Sequence, residues 1–397
     1  MNQLFFDLIR VAIGAQASLN RFPSEAEWEE LFEMAVKQSL IGVCFVGLNR
    51  LGADSENSSL RQTQGKQDSG QEDTFARIGM SEDLYFDWMG MAAQINMKNE
   101  LVNQQCVELQ RRLAADGIGS IILKGQGAAT LYGEELRGFR QSGDIDAFVD
   151  CGREKAVAFV QSVAPTNEVN HKHVQLHCFS DTEVELHYIA AELHCPWHNK
   201  HLQRFFASHS ETVKVKLNAA GEITVPCEAF NIVHLLTHAY RHMFGDGIGL
   251  RQVMDLYFAL KTLSDSPLKG ENIEEIKEVV REAGMGKFAS AMMWVIKTVF
   301  IGHDTSTNTG ADDANFFVWI PNEYDGQFLL DEIMMAGNFG KYDERIDRKG
   351  ESRGHRFWRV TKQNWRLMRF SPWEVVCTPL WRIWHFCWMR SHGYTQG

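Results

Sequence analysis

The chain has 397 residues, 44% of them hydrophobic, with 40 Lys and Arg against 51 Asp and Glu for a net charge of −11. That length supports one large domain or two to three ordinary ones, each with its own core. The acidic balance and a pI near 5.8 make nucleic acid an improbable partner, because neutralising phosphates needs a basic surface, and leave a small substrate or a protein as the simpler fit.

Eight cysteines are scattered without a C-x-x-C pair (Cys44, Cys106, Cys151, Cys178, Cys195, Cys227, Cys377 and Cys387). This is the pattern expected of reduced thiols in a cytoplasmic protein, not of a disulfide framework. The opening MNQLFFDLIRVAIG is apolar, but Asp7 and Arg10 interrupt it and no clean small-residue cleavage site follows, so it does not read as a leader. No run approaches the roughly 20 apolar residues that span a bilayer, so no transmembrane segment is expected.

In chain order, 24–51 predicts a helix pair opened by a capping box, Ser24 with Glu27 three residues on. Residues 52–74 lose hydrophobic periodicity and predict a flexible polar loop. From 85 to 113, Tyr85, Trp88, Ala92, Ile95, Val102, Cys106, Leu109 and Leu113 fall at helical spacing with only Asn99 breaking the series. Short strands are expected at 121–123, 144–150 and 183–189, and a hairpin at 213–225 turning around Asn218 to Gly221. After Pro226 the pattern is helical, near 228–243, 249–264 and 272–300. These elements divide the chain into an N-terminal helical part (1–84), a mixed α/β core (85–226), a helical domain (227–350) and a tail (351–397).

The chemistry concentrates in ILKGQGAATLYGEELRGFRQSGDIDAFVD, residues 121–149. On a strand, Asp144 and Asp146 share a face because side chains alternate. Two carboxylates so placed repel each other and need a cation, and Mg²⁺ or Mn²⁺ held against substrate phosphates meets that need. The turn at Lys124-Gly125 lets backbone approach phosphate, and the helix after it favours anions. Lys124 suits phosphate as a point charge. Arg140, four residues before Asp144, suits either a phosphate clamp or an ion pair with the carboxylates.

Residues 123–149, with K-G, then Tyr132, then R-x-x-x-D-I-D, resemble the signature of the DNA polymerase beta-type nucleotidyltransferase superfamily, in particular an uncharacterised bacterial branch of it. The similarity runs from roughly residue 28 to 265. It departs from the wider superfamily at Lys124-Gly125, where Gly-Ser is usual. The resemblance implies a third carboxylate on a neighbouring strand, Glu185 in V-E-L-H-Y, with Glu183 on the same strand face as a substitute. It also covers H-x-x-x-H followed by L-R-x-x-x-D-L, and so implies a helical part presenting His238, His242, Arg251 and Asp255 to the nucleotide or its acceptor. The other reading of those four residues is a buried network that only fixes two helices together.

Fifteen histidines include seven between 171 and 201 (His171, His173, His177, His187, His194, His198 and His201), near Cys178 and Cys195. Zinc is one reading, but the spacings fit no common template. The last 47 residues hold six of the eleven tryptophans and eight Lys or Arg against Glu351 and Glu374. That tail reads as a packed helical cap with arginines over indoles, or as a surface for a peripheral membrane or protein contact.

The expectation is an α+β nucleotidyltransferase-type fold, a small mixed sheet flanked by N-terminal and C-terminal helical parts. It would move a nucleoside monophosphate from an NTP such as ATP to a hydroxyl or phosphate acceptor. Asp144, Asp146 and Glu185 would hold Mg²⁺ or Mn²⁺, with Lys124, Gly125, Arg140, His238, His242, Arg251 and Asp255 around the nucleotide. The alternative is a catalytically silent nucleotide-binding or scaffold protein that docks through its tail.

Overall fold

The computed structural model describes residues 2–59, 74–266, 269–302, 318–343, 345, 361, 364–392 and 394. Helix α1 (Asn2–Ile13) is buried along most of its length. The charges that interrupt its apolar run stand one turn apart, and Arg10 donates to Asp7 at 2.8 Å. Asp7 also accepts from Gln3 and Asn20, each at 2.8 Å. A charge pair satisfied in this way enters a core that either charge alone could not. The segment is therefore a core helix, which its interrupted apolar pattern does not announce.

Helix α2 (Glu25–Gln38) opens as expected, with the Ser24 N–H donating to Glu27 at 2.8 Å. Helix α3 (Ile41–Ser59) runs on into the segment expected to be a polar loop, and residues 60–73 of that loop lie outside the described residues. After α4 (Thr74–Ile78) comes the long α5 (Glu82–Ala115). Its buried face carries Tyr85, Trp88, Ala92, Val102, Cys106, Leu109 and Leu113, and also Asn99. Asn99 breaks the apolar series for a reason. Its Nδ2 donates to Gly138 O at 2.7 Å and to Arg140 O at 2.8 Å, so α5 holds the loop that leads into the paired aspartates.

The sheet comes next in the chain. Strand β1 (Ser120–Ile122) leads into α6 (Lys124–Ala129) and α7 (Glu134–Arg137), and then β2 (Ile145–Val149) and α8 (Gly152–Val163). Strands β3 (His173–Gln175) and β4 (Val184–His187) precede α9 (Pro196–Ser208). The strand order is β1-β2-β4-β3, with β2 parallel to β4 and the other pairings antiparallel, as expected of a small mixed sheet. The expected hairpin is β5 (Thr212–Leu217) and β6 (Gly221–Pro226), a separate two-stranded sheet. Gln110 of α5 joins the two sheets, donating to Ser120 O at 2.8 Å and accepting from Thr224 N at 2.8 Å.

Helices α10 (Glu228–Gly245) and α11 (Leu250–Asp265) match the expected positions. The single helix expected over 272–300 is two, α12 (Lys269–Glu282) and α13 (Gly286–Ile296). Gly284 at φ +68° makes the break, with Met285 N–H returning to Val280 O at 2.9 Å, a left-handed helix stop that glycine adopts without strain. One apolar core runs through α1–α3, α5, α10, α11 and α13, and a second lies under the sheet against α5 and α8.

Helix α14 (Glu323–Ala336) and the C-terminal α15 (Pro372–Ser391) complete the described chain. Trp358 of the tail lies outside the described residues. Helix α15 packs back as a cap over the start of α9, α10 and α8. Its Glu374, 0% exposed, accepts from His194 N at 2.7 Å, Cys195 N at 3.1 Å and Arg241 Nη1 at 2.8 Å. Trp381 stacks on His194 with ring centroids 4.0 Å apart, and Arg153 of α8 lies 5.0 Å over Trp388. The outer face of α15 exposes Trp373, Val376, Leu380 and Ile383. No helix among the described residues is long and apolar enough to cross a membrane.

Replacing Glu374 by Ala strands two buried N–H donors and one arginine, and should cost about 3–5 kcal/mol in urea unfolding. Glu374→Gln, which keeps a carbonyl acceptor, should lose less. A loss below about 1 kcal/mol for the alanine variant would mean that the helix is held by its aromatic contacts alone.

Candidate active site

Strand pairing brings the carboxylates together. Asp146 and Glu185 are register partners on β2 and β4, so they project from the same sheet face, and Asp144 stands just before β2. One oxygen from each of Asp144, Asp146 and Glu185 lies within 4.8 Å of the others. Asp146 is 2% exposed at its side chain while Asp144 is 40% exposed, so the set reaches from the sheet to the open cavity. Glu183, the expected substitute, stands just before β4, is exposed and lies outside this group.

Lys124 occupies the cation position in this state, with Nζ 2.6 Å from Asp146 Oδ2 and 3.6 Å from Asp144 Oδ2. It is held there by the turn between β1 and α6, where Gly125 has φ +48° and ψ −119°, a conformation that side-chain-bearing residues rarely adopt. The following helix is one short turn with Gly125 outside helical angles. Its dipole is correspondingly small, and the lysine is the main positive group at the turn.

His187 is the next partner of the carboxylates. Its Nε2 lies 2.8 Å from Asp146 Oδ1 and 3.0 Å from Glu185 Oε2. Burial alone would lower the His187 pKa, but these two bonds outweigh it and the net shift is upward. Burial alone would raise Asp146, yet the Lys124 charge and the His187 bond pull it far below the usual carboxylate range. Glu185 is likewise drawn down against its own burial by His187 and His173. Asp144 moves the other way, raised first by the charge of Asp146 and then by burial.

A cavity of about 500 Å³ opens over these groups and reaches Lys172, His238, His242, Trp381 and His385. Lys172 lines this cavity and makes no ion pair among the described residues. His234, His238 and His242, spaced four residues apart, form a stripe along α10. Burial holds all three below the ordinary imidazole value, His234 and His242 at about 3. They are neutral donors and acceptors, not cations.

Arg140, Arg251 and Asp255 line a smaller adjoining pocket together with Gly125. The two readings left open for Arg140 give way to a third. It is bidentate to Asp255, with Nε–Oδ1 and Nη2–Oδ2 both 2.7 Å, and Tyr132 donates to the same carboxylate at 2.7 Å. Asp255 thus sits in a buried network with Arg140 and Tyr132 that ties α11 to the loop before β2, not to α10 as the other reading of these residues had it. Arg251 donates to Gln141 O at 2.6 Å, has no ion pair among the described residues, and is lowered by burial to about 10.

Sequence reasoning missed His173, His187 and Lys172 as individual site residues. His187 was visible in principle, because the alternation in V-E-L-H-Y places it on the face of Glu185. His173 sits on β3, where Val174 and Leu176 alternate with polar neighbours and are buried, a short alternation in H-V-Q-L-H that could have marked it. Of the residues weighed for zinc, His173 and His187 gather with Glu185 as a possible ligand group, and neither Cys178 nor Cys195 joins one among the described residues.

A family model described as uncharacterised nucleotidyltransferase matches residues 24–300. The chain belongs to this family. The match contains all three carboxylates and both lysines, and the chain is accordingly an enzyme of the nucleotidyltransferase class. The nucleotidyltransferase is similar, at 12% identity and a TM-score of 0.28, to the crystal structure of an antigenic nucleotidyltransferase-like protein from Paracoccidioides brasiliensis. That similarity covers 52% of this chain and 96% of the other. No curated protein matches it.

The buried ion pair and the α10 histidines of the nucleotidyltransferase each have a measurable consequence. Asp255→Ala leaves Arg140 buried and unpaired and should lower unfolding free energy by about 3–5 kcal/mol, against about 1 kcal/mol for Tyr132→Phe. Equal effects of the two would deny the ion pair its place. The neutral α10 histidines also set a pH dependence. Below about 6.5 the unfolded chain binds their protons and the folded chain does not, so stability falls as pH drops, by up to about 1.4 kcal/mol per pH unit for each histidine. His187, raised in the fold, is protonated in both states there and adds no slope. Urea midpoints that stay flat from pH 6.5 to 5 would contradict this assignment.

Proposed function

We propose that Asp144, Asp146 and Glu185 hold Mg²⁺ or Mn²⁺, and that the chain transfers a nucleoside monophosphate from an NTP to a hydroxyl or phosphate acceptor. The observation that carries this reading is the convergence of three carboxylates around the Lys124 ammonium at the floor of the cavity. Carboxylates gathered this closely need positive charge, and Lys124 stands in for the ion. An all-oxygen ligand set suits a hard divalent cation. The same geometry supports placement in the DNA polymerase beta-type superfamily.

The acceptor oxygen would bond to the α-phosphorus of the NTP as the bond to the β-phosphate oxygen breaks and pyrophosphate leaves. Divalent ions held by Asp144, Asp146 and Glu185 would supply charge neutralisation at the phosphates and activation of the attacking oxygen. Lys124, once exchanged from the carboxylates, and Lys172 are placed to take the triphosphate as point charges. Arg251 extends that positive rim toward the smaller pocket. His238 and His242, kept neutral, can orient nucleotide or acceptor through hydrogen bonds without adding charge.

One observation favours a second reading. The 2.6 Å contact of Lys124 with Asp146 satisfies the site internally, as a silent nucleotide-binding protein would require. Pyrophosphate release from each NTP with Mg²⁺ or Mn²⁺ separates the two. Asp146→Asn should reduce release by about 100-fold or more, and Lys124→Ala should weaken NTP binding while leaving Mn²⁺ binding intact. Wild-type protein that binds Mn²⁺–NTP but releases no pyrophosphate with any hydroxyl acceptor would favour the silent reading.

A further inference from the structure

We propose that His187 and His173 are positioning residues, hydrogen-bond donors that preset Glu185 against Asp146, and not metal ligands themselves. The proposal rests on the metal-site reading above and concerns how the third carboxylate is held. The proton positions follow from the partners. His187 Nε2 faces two carboxylate oxygens, Asp146 Oδ1 at 2.8 Å and Glu185 Oε2 at 3.0 Å. Carboxylates accept and do not donate, so Nε2 carries the proton and spans the two side chains. One oxygen of each carboxylate is then taken, and the other is left for an ion.

The tautomer of His173 is set one step farther out. Asn170 Oδ1 accepts from the backbone N–H of Lys172 at 2.8 Å and of His173 at 2.9 Å. Turning that amide over would set its NH₂ against two donors, so its orientation is determined. Asn170 Nδ2 therefore faces His173 Nε2, at 2.8 Å, and an amide nitrogen can only donate. His173 Nε2 is thus an acceptor, and the ring proton lies on Nδ1. That Nδ1 is buried, has no hydrogen-bond partner, and lies 3.2 Å from Glu185 Oε2. A small turn of the carboxylate completes the bond and removes the cost of an unsatisfied buried donor.

Although His173, Glu185 and His187 gather closely enough to enclose an ion, the nitrogen facing Glu185 in each ring is protonated. To bind a metal, either nitrogen would have to release that proton and give up its contact with the carboxylate. The ligand set therefore stays all-oxygen, and the histidines act on the ion through Glu185 and Asp146, in the manner of outer partners that orient metal-binding carboxylates.

The test uses side chains that keep or displace the donor. Gln at 187 reproduces a donor at the position of Nε2, and Asn at 173 reproduces one at the position of Nδ1. His187→Asn and His173→Gln have the same chemistry with the donor moved by one bond. Mn²⁺ binding to the full-length protein is titrated by electron paramagnetic resonance, without nucleotide, with thermal midpoints recorded for all four variants. His187→Gln and His173→Asn should bind Mn²⁺ within about threefold of wild type, and His187→Asn and His173→Gln about 10- to 100-fold more weakly.

Equal affinity in matched and displaced variants would overturn the proposal. So would stoichiometric zinc in the purified wild type that is lost in all four variants, since that would make the rings ligands. Failure of wild type itself to bind Mn²⁺ would sink the metal-site reading, and this proposal with it, and is distinguishable from the other outcomes because it appears before any substitution.

Discussion

Three carboxylates drawn onto one sheet face are the constraint around which the structure is arranged. Like charges a few ångströms apart, partly removed from water, repel strongly, and the repulsion grows as the local dielectric falls. The protein answers from two sides. Lys124 reaches in from the turn after β1, and His187 bridges Asp146 and Glu185 from the strand that carries Glu185. Asp144, farthest toward solvent, is left with the uncompensated share, which is why its pKa alone among the three moves upward. In this structure the charge of the cluster is balanced by the lysine and the histidine, and under the proposed function the lysine would give way to an ion.

Precision in that arrangement comes from parts outside the carboxylate cluster. Parallel pairing of β2 with β4 puts Asp146 opposite Glu185, and a register slip of one residue would turn either side chain to the other face. The loop before β2 is held from α5 by Asn99 and from α11 by the Arg140–Asp255 pair. Removing water from this ion pair is costly in itself, so its contribution is to fix the approach of the loop more than to add net stability. Arg241 is held by Glu374 and Arg140 by Asp255. Lys124 is paired with Asp146 and Asp144 inside the site itself, and among the described residues Lys172 and Arg251 line the cavities without an ion pair.

Much of this was legible where the signal was local. The D-I-D pair, the capping box at Ser24, the long face of α5, the hairpin and helices α10 and α11 all follow from spacing within one segment. What could not be read was set by partners distant in sequence. Arg140 sits 115 residues from the aspartate it binds, and nothing within its own segment distinguishes that partner from Asp144 or a phosphate. Strand β3 is three residues long in a histidine-rich stretch, and the brief alternation of Val174 and Leu176 with polar residues gives too short a signal to place it beside β4. In α1 the charged pair looked like an interruption because a sequence shows two charges, whereas the fold shows one neutralised contact.

The tail makes the same point at the level of the whole cavity. Composition marked it as different from the rest of the chain, and left open whether it packs or protrudes. Glu374 decides for packing, because a carboxylate with no exposure must find donors, and the donors it finds are the backbone at the start of α9 and Arg241 of α10. The inner face of α15 then brings Trp381 and His385 to the cavity wall, while Phe339 closes another side. All three lie beyond residue 300, where the family match ends, whereas the carboxylates and both lysines lie within it. Charge and reacting geometry are thus supplied by the matched segment, and part of the wall by residues C-terminal to it. A change in α15 can alter what the cavity admits without moving the carboxylates, since β2 and β4 are fixed by their own pairing and by α5.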